Sequence, residues 1–192
     1  MSQSRYQICS TALVMAGANL ITDFSGSSTE SAVAAQLWET TVEAWLSMYD
    51  WRFAMVQEQL SLLADAPLSG WSYAYQIPGA VLKIRRVTCA DVPIDYTRYN
   101  DKLFCDYSSG TPLYIDYTYN VDETAWPPYF RAVIEAELAG KFAFSVAAQT
   151  KLSEAYKAER ERLFKLAKTI DAQSQPAKKL NLRHANSLIG RR

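Results

Sequence analysis

Histidine and cysteine are scarce in this chain, and their scarcity removes most of the common chemistries. The one histidine, His184, stands in a polar stretch with no partner at a useful spacing. A lone histidine of this kind is a solvated or interface side chain far more often than a base. Cys9, Cys89 and Cys105 form an odd set without a Cys-x-x-Cys pair. Their apolar neighbours Ile8, Val87 and Phe104 predict buried free thiols in a reducing compartment, not a disulfide framework or a metal site. Gly-x-Ser-x-Gly, a P-loop and Gly-x-Gly-x-x-Gly are all missing. Glu135 and Glu137 are two apart on a helix, hence on different faces, and make no acid pair. Asp91, Asp95, Asp101 and Asp106 lie among turns and strands without the spacing of a calcium loop. No catalytic residue, metal site or cofactor is expected, and the chain reads as an assembly part, not an enzyme.

Long apolar runs are also lacking. Ala12–Ala18 is too short for a membrane span or a signal peptide. A chain made in a cytoplasm without its own export signal, and outside the membrane, is the expectation. Negative charge is missing from one end: after Asp171 no acidic residue occurs. Lys178, Lys179, Arg183, Arg191 and Arg192 carry the tail, while the whole chain is neutral, so residues 1–175 are net negative by five charges. That asymmetry suggests a body with a basic arm that docks on something.

What remains is ordinary globular material: 192 residues, 49% apolar and 21% charged. Tyr6 to Gly17 reads as a first helix with Ile8, Leu13 and Ala16 on one face. Ser27-x-x-Glu30 is a candidate capping box. The helix after it carries Val33, Leu37, Thr41, Ala44, Trp45 and Met48 on one stripe and ends near Tyr49–Trp51. From Phe53 to Val121 the period changes from 3.6 to 2. Trp71, Tyr73, Tyr75 and Ile77 alternate with polar or small residues, as do Leu82 and Ile84, and Leu113, Ile115, Tyr117 and Tyr119. Ile94–Thr97 and Leu103–Tyr107 predict a short hairpin. The block holds eight of the twelve tyrosines, a residue that suits both subunit contacts and the wall of a thin sheet.

Pro127-Pro128 then opens a helix, since proline suits the first turn. Ala132, Ala136, Ala139, Ala143 and Val146 recur along it, with Val133, Leu138 and Phe142 beside them. After a break at Ala147–Thr150, a last helix carries Leu152, Ala155, Tyr156, Leu163, Leu166, Ala167 and Ile170. Glu159-Arg160-Glu161-Arg162 reads as its solvated face. The fold class expected is α+β. Residues 1–52 and 125–172 form an antiparallel helical bundle, 53–124 an inserted antiparallel β-rich domain, and 173–192 an extended basic arm.

Four stretches together resemble the head-to-tail adaptor, or tail tubular protein A, family of short-tailed bacteriophages. They are Ile8-Cys9-x-x-Ala12-Leu13-x-x-x-Gly17; Trp51-Arg52-Phe53-Ala54; Trp71-x-Tyr73-Ala74-Tyr75-Gln76-Ile77-Pro78 with Leu82-Lys83-Ile84-Arg85-Arg86-Val87; and Ile115-Asp116-Tyr117 leading through Asp122-Glu123 to Pro128-x-Phe130 and Ala136-x-Leu138-Ala139. The likeness runs in order over nearly the whole chain. Two positions depart from the pattern. Gly79-Ala80 follows the Ile-Pro pair where an Asp is usual, and Asp50 precedes Trp51 where proline is expected.

The resemblance implies a structural virion protein at the portal vertex, assembled in a host cytoplasm. Copies form a ring, commonly dodecameric, that binds under the portal protein, prolongs the DNA channel and carries the tail nozzle protein. Phage DNA passes through during ejection without sequence-specific binding. The arm residues Lys178, Lys179, Leu180, Leu182, Arg183, Leu188, Ile189, Arg191 and Arg192 would engage the portal. In the β-block, Trp71, Tyr73, Tyr75, Arg85, Arg86, Tyr96 and Tyr99 would contact neighbouring subunits or the nozzle. Two alternatives come from other classes. One is a nucleic-acid-binding module using the basic tail, against which neutral overall charge speaks. The other is a cell-wall hydrolase, against which the missing acid pair and nucleophile speak.

Overall fold

The computed structural model describes residues 4–174 apart from 66, 68, 69 and 109. Within them the chain is mixed α+β, with four α-helices and two antiparallel four-stranded sheets. The helices α1 (Arg5–Met15) and α2 (Thr29–Met48) come first. Eight strands follow: β1 (Met55–Gln59), β2 (Ser61–Leu62), β3 (Tyr73–Gln76), β4 (Val81–Cys89), β5 (Val92–Pro93), β6 (Thr97–Tyr99), β7 (Lys102–Cys105) and β8 (Leu113–Tyr119). The helices α3 (Pro128–Ser145) and α4 (Thr150–Gln173) close the described chain.

Helix ends follow local chemistry. α1 stops because Gly17 adopts φ +76°, the left-handed conformation that glycine reaches without strain. The Gly17 N–H then donates to the Val14 carbonyl and the Ala18 N–H to that of Leu13, the paired bonds of a Schellman stop. α2 begins one residue later than the capping box predicts. Ser28, not Ser27, accepts the Ser31 N–H at 3.1 Å, and Glu30 instead takes a bond from Asn19. Pro128 occupies the first position of α3, as the Pro-Pro pair predicts.

All four helices feed one hydrophobic core, but two of the expected stripes are rotated. On α2 the buried side chains are Ser31, Ala34, Trp38, Thr41, Val42, Trp45 and Leu46, while Ala44 and Met48 face outward. Trp38 sets this rotation by stacking on Trp126, centroids 5.7 Å apart. On α4, Ala167 is buried as expected, but Leu166 and Ile170 are exposed, and Ser153 and Asp171 are buried instead.

The two sheets run β1-β8-β4-β5 and β2-β3-β7-β6. Between them lies a second core of Leu60, Tyr75, Ile77, Val87, Cys89, Ile94, Leu103, Cys105, Leu113, Ile115 and Tyr117. The predicted hairpin exists with its first strand displaced: Thr97–Tyr99 pairs with Lys102–Cys105, and Asn100 at φ +55° makes the turn. Register shifts at Val81/Lys83 and Ile84/Arg86 break the expected two-residue period of β4. Leu82 consequently packs against the helical core and Ile84 against the sheet core. Cys9, Cys89 and Cys105 are free and buried. Burial pushes the Cys9 thiol up to about 12.

The same burial acts on tyrosine. Tyr75 and Tyr117 are each pushed up to about 12, with loss of hydration the leading cause and the bond from Tyr117 to Glu58 adding to it. Below pH 10 both phenols are neutral whether the chain is folded or not. Between 10 and about 12 the unfolded chain ionises them and the folded chain does not, so stability falls through that window. Urea midpoints should therefore hold steady to about pH 9.5 and then drop, with tyrosinate absorbance rising as the sheets unfold. An unchanged midpoint at pH 12 would contradict this account of the second core.

Candidate functional site

Where the helices hand the chain to the sheets, the sequence Asp50-Trp51-Arg52 meets the double arginine of β4. The register shift beside Arg85 frees it from the ladder, and it turns inward. Its side chain is only 10% exposed. Nε donates to Thr118 Oγ1 at 3.0 Å, and Nη2 to the Trp51 carbonyl at 2.6 Å. Burial lowers the Arg85 pKa, while Asp50, Asp171 and Asp116 act in the opposite direction. A guanidinium stays charged through such a shift, so these three carboxylates hold a fixed positive charge at the junction.

Asp50 stands directly before Trp51, at the point where α2 gives way to the strands. Its Oδ1 takes a bond from Lys83 at 2.8 Å and lies 3.9 Å from Arg85 Nε. Arg86 points the other way, to solvent, with Nε bonded to the buried carboxylate of Asp116. Asp116 also accepts from Gln57 at 2.6 Å, which ties edge strand β1 into the network. On the helix side, Asp171 is fully buried at the end of α4. It accepts the Arg52 N–H at 3.1 and 3.2 Å and the Tyr129 hydroxyl at 2.8 Å. The Tyr129 phenol is raised, first by burial and then by that bond.

This network contains charge and hydrogen bonds but no nucleophile beside a base. Among the described residues no group of three or more His, Cys, Asp and Glu side chains would hold a metal. No helix among the described residues is long and apolar enough to cross a membrane. What the arrangement does is tie the segment leaving α2 to β4 and β8 on one side and to α3 and the end of α4 on the other.

The sequence-derived contact residues divide between this junction and the second sheet. Arg85 is committed inside the subunit, and Arg86 is exposed but paired. Tyr75 is 2% exposed, its hydroxyl donating to the Tyr107 carbonyl at 2.8 Å. Trp71, Tyr73 and Tyr96 are half-buried, and the last two pack on the second core. Tyr99 is exposed, with its ring against Phe104. Lys178, Lys179, Leu180, Leu182, Arg183, Leu188, Ile189, Arg191 and Arg192 lie outside the described residues, as does His184.

Sequence reading missed two features. Asp171 was visible as the acid closing the apolar run of α4, but its burial was not. Arg160, inside the supposedly solvated Glu-Arg-Glu-Arg run, pairs with Glu137 at 2.9 Å and lies over the Trp45 ring at 5.6 Å. Its position four residues after Tyr156 and three before Leu163 was the available signal. A scan of protein-family models and a search of curated proteins find no match to this chain.

Proposed function

We propose that this chain is a structural virion protein, a head-to-tail adaptor that forms a ring under a portal, extends the DNA channel and carries the tail nozzle. One observation carries the reading. Helices from both ends of the sequence share a single core while the eight strands between them build a second. That is the helix–helix–sheet–helix–helix order read from the periodicity of the sequence, and it suits a subunit with a helical part toward the portal and a sheet-rich part toward the distal tail. In this reading residues 1–52 and 125–172 act as an antiparallel helical bundle, and 53–124 as an inserted domain facing the distal tail. The 173–192 arm reaches the portal.

The junction supports a mechanical role. A ring that transmits force between head and tail needs its two parts held at one angle, and the Arg85–Asp50–Asp116 network supplies that. It also supports DNA passing without sequence readout, because Arg85 is turned inward and Arg86 already has a carboxylate. An arm that orders on docking costs entropy but wraps a large surface, and repetition around a ring multiplies a modest contact.

The test is negative-stain imaging of the protein mixed with its cognate portal, beside a form lacking 176–192. Rings seated under the portal only with the full chain are expected. Equal binding by the shortened form would remove the arm from the reading, and no complex with either form would overturn it.

A further inference from the structure

A second cluster of charge, apart from the junction, sits between α3 and α4. There a cleft of about 250 Å³ is lined by Glu137, Gly140, Lys141, Phe144, Lys157 and Arg160 among others. Glu137 divides its two oxygens between Lys141 at 3.3 Å and Arg160 at 2.9 Å. Arg160 is held further by Glu161 and by the face of Trp45, and Lys141 by the Thr41 hydroxyl at 2.8 Å. Lys157 has no ion pair or hydrogen bond among the described residues. Three cations thus meet one carboxylate within the cleft, and two of them are already fixed in place. Gly140 lets α4 approach closely, since a Cβ there would meet Tyr156 Cβ at 3.4 Å and the Ser153 carbonyl at 3.5 Å, and Phe144, 67% exposed, forms an apolar rim. A cleft of this kind fits a carboxylate with an apolar group next to it.

We propose that its occupant is the Asp91–Val92 corner of a second copy of this chain. That corner is the β4–β5 hairpin, turned by Ala90 and Asp91 at φ +48° and +63°. Val92 is 62% exposed. Among the described residues it is the exposed large apolar side chain that directly follows an exposed acid with no hydrogen bond or ion pair of its own. The tight two-residue turn holds both groups in one orientation, so little freedom is lost on insertion. Asp91 meets Lys157 and Arg160, and Val92 meets Phe144. Because plug and socket are different surfaces, the contact is heterologous, and it closes into a ring or grows into a filament. The inference deepens the adaptor reading by naming one contact between neighbours in the ring.

Sedimentation velocity of the full chain over a wide concentration range tests it. The wild-type chain should self-associate, less so as salt screens the charges. Lys157→Glu and Asp91→Lys, both surface changes, should each weaken association by about tenfold or more. The two together in one chain should associate more tightly than either alone, because the reversed charges face each other again. A wild-type chain that stays monomeric at every concentration overturns the contact, as does a reversal without effect or a double variant no tighter than the singles. Portal binding of the same proteins is scored separately, so loss of this contact and loss of the adaptor reading are told apart.

Discussion

Replacing Trp51 by alanine should lower the unfolding free energy by about 5 kcal/mol, the upper end for a buried tryptophan. Trp51 is fully buried, and its ring is the hub of an aromatic cluster. Phe130 and Tyr49 meet it edge-on at 5.0 and 4.9 Å, and Phe53, Phe164 and Tyr129 lie at 5.9, 6.0 and 6.3 Å. Those rings come from α3, α4 and the segment that enters the sheets, so the cavity left by alanine opens where all three meet. A second loss adds to it. The indole N–H donates at 2.8 Å to the carbonyl of Trp45, in the last turn of α2, where carbonyls have no partner within the helix. Trp51→Phe separates the two: it keeps most of the ring and removes the donor, so it should cost about 1–2 kcal/mol. Urea unfolding of the three proteins gives both numbers. A Trp51→Ala cost under about 2 kcal/mol would mean that the cluster collapses around the gap and that Trp51 is not its hub.

The same segment shows how far the sequence could be read. In Trp51-Arg52-Phe53-Ala54 large aromatic residues cluster without helical or strand period, the pattern expected of a packing anchor between elements. β3 and β8 were legible from the alternation of their residue types, although the structure buries both faces, Ala74 beside Tyr75 and Asp116 and Thr118 beside Ile115 and Tyr117. β1 was not, since Met-Val-Gln-Glu-Gln lies at a sheet edge and most of its side chains are exposed. The edge strand is held by its backbone pairing to β8 and by Gln57, which no hydropathy pattern reports. The polar junction was half legible. Arg85 and Arg86 were singled out, but a register shift decides that one turns inward and the other outward, and a shift of that kind depends on the partner strand. The rotated stripes of α2 and α4 have a related cause. Ser31, Ser153 and Asp171 are buried polar residues outside the expected stripes, so an apolar count places the face about one residue off.

Replacing Asp171 by alanine should cost about 3–4 kcal/mol, a large effect for a single side chain near a helix end. Its carboxylate is the acceptor for the Arg52 N–H, which opens the short 3-10 turn at Arg52–Ala54, and for the Tyr129 hydroxyl near the start of α3. Alanine leaves both donors without their buried acceptor, and an orphaned buried donor carries the full loss of hydration. It also removes one of the three carboxylates that offset the buried charge of Arg85. Asp171→Asn should cost less, about 1–2 kcal/mol, since the amide oxygen still accepts one of the bonds while the charge is lost. Tyr129→Phe removes one donor and its need for an acceptor together, so in the Asp171→Ala background it should cost less than in the wild-type chain. Chemical unfolding of these four proteins closes the cycle. Additive costs would show that Asp171 and Tyr129 are not coupled. A positive coupling would make the end of α4 the clamp that sets where the chain leaves the helices for the sheets.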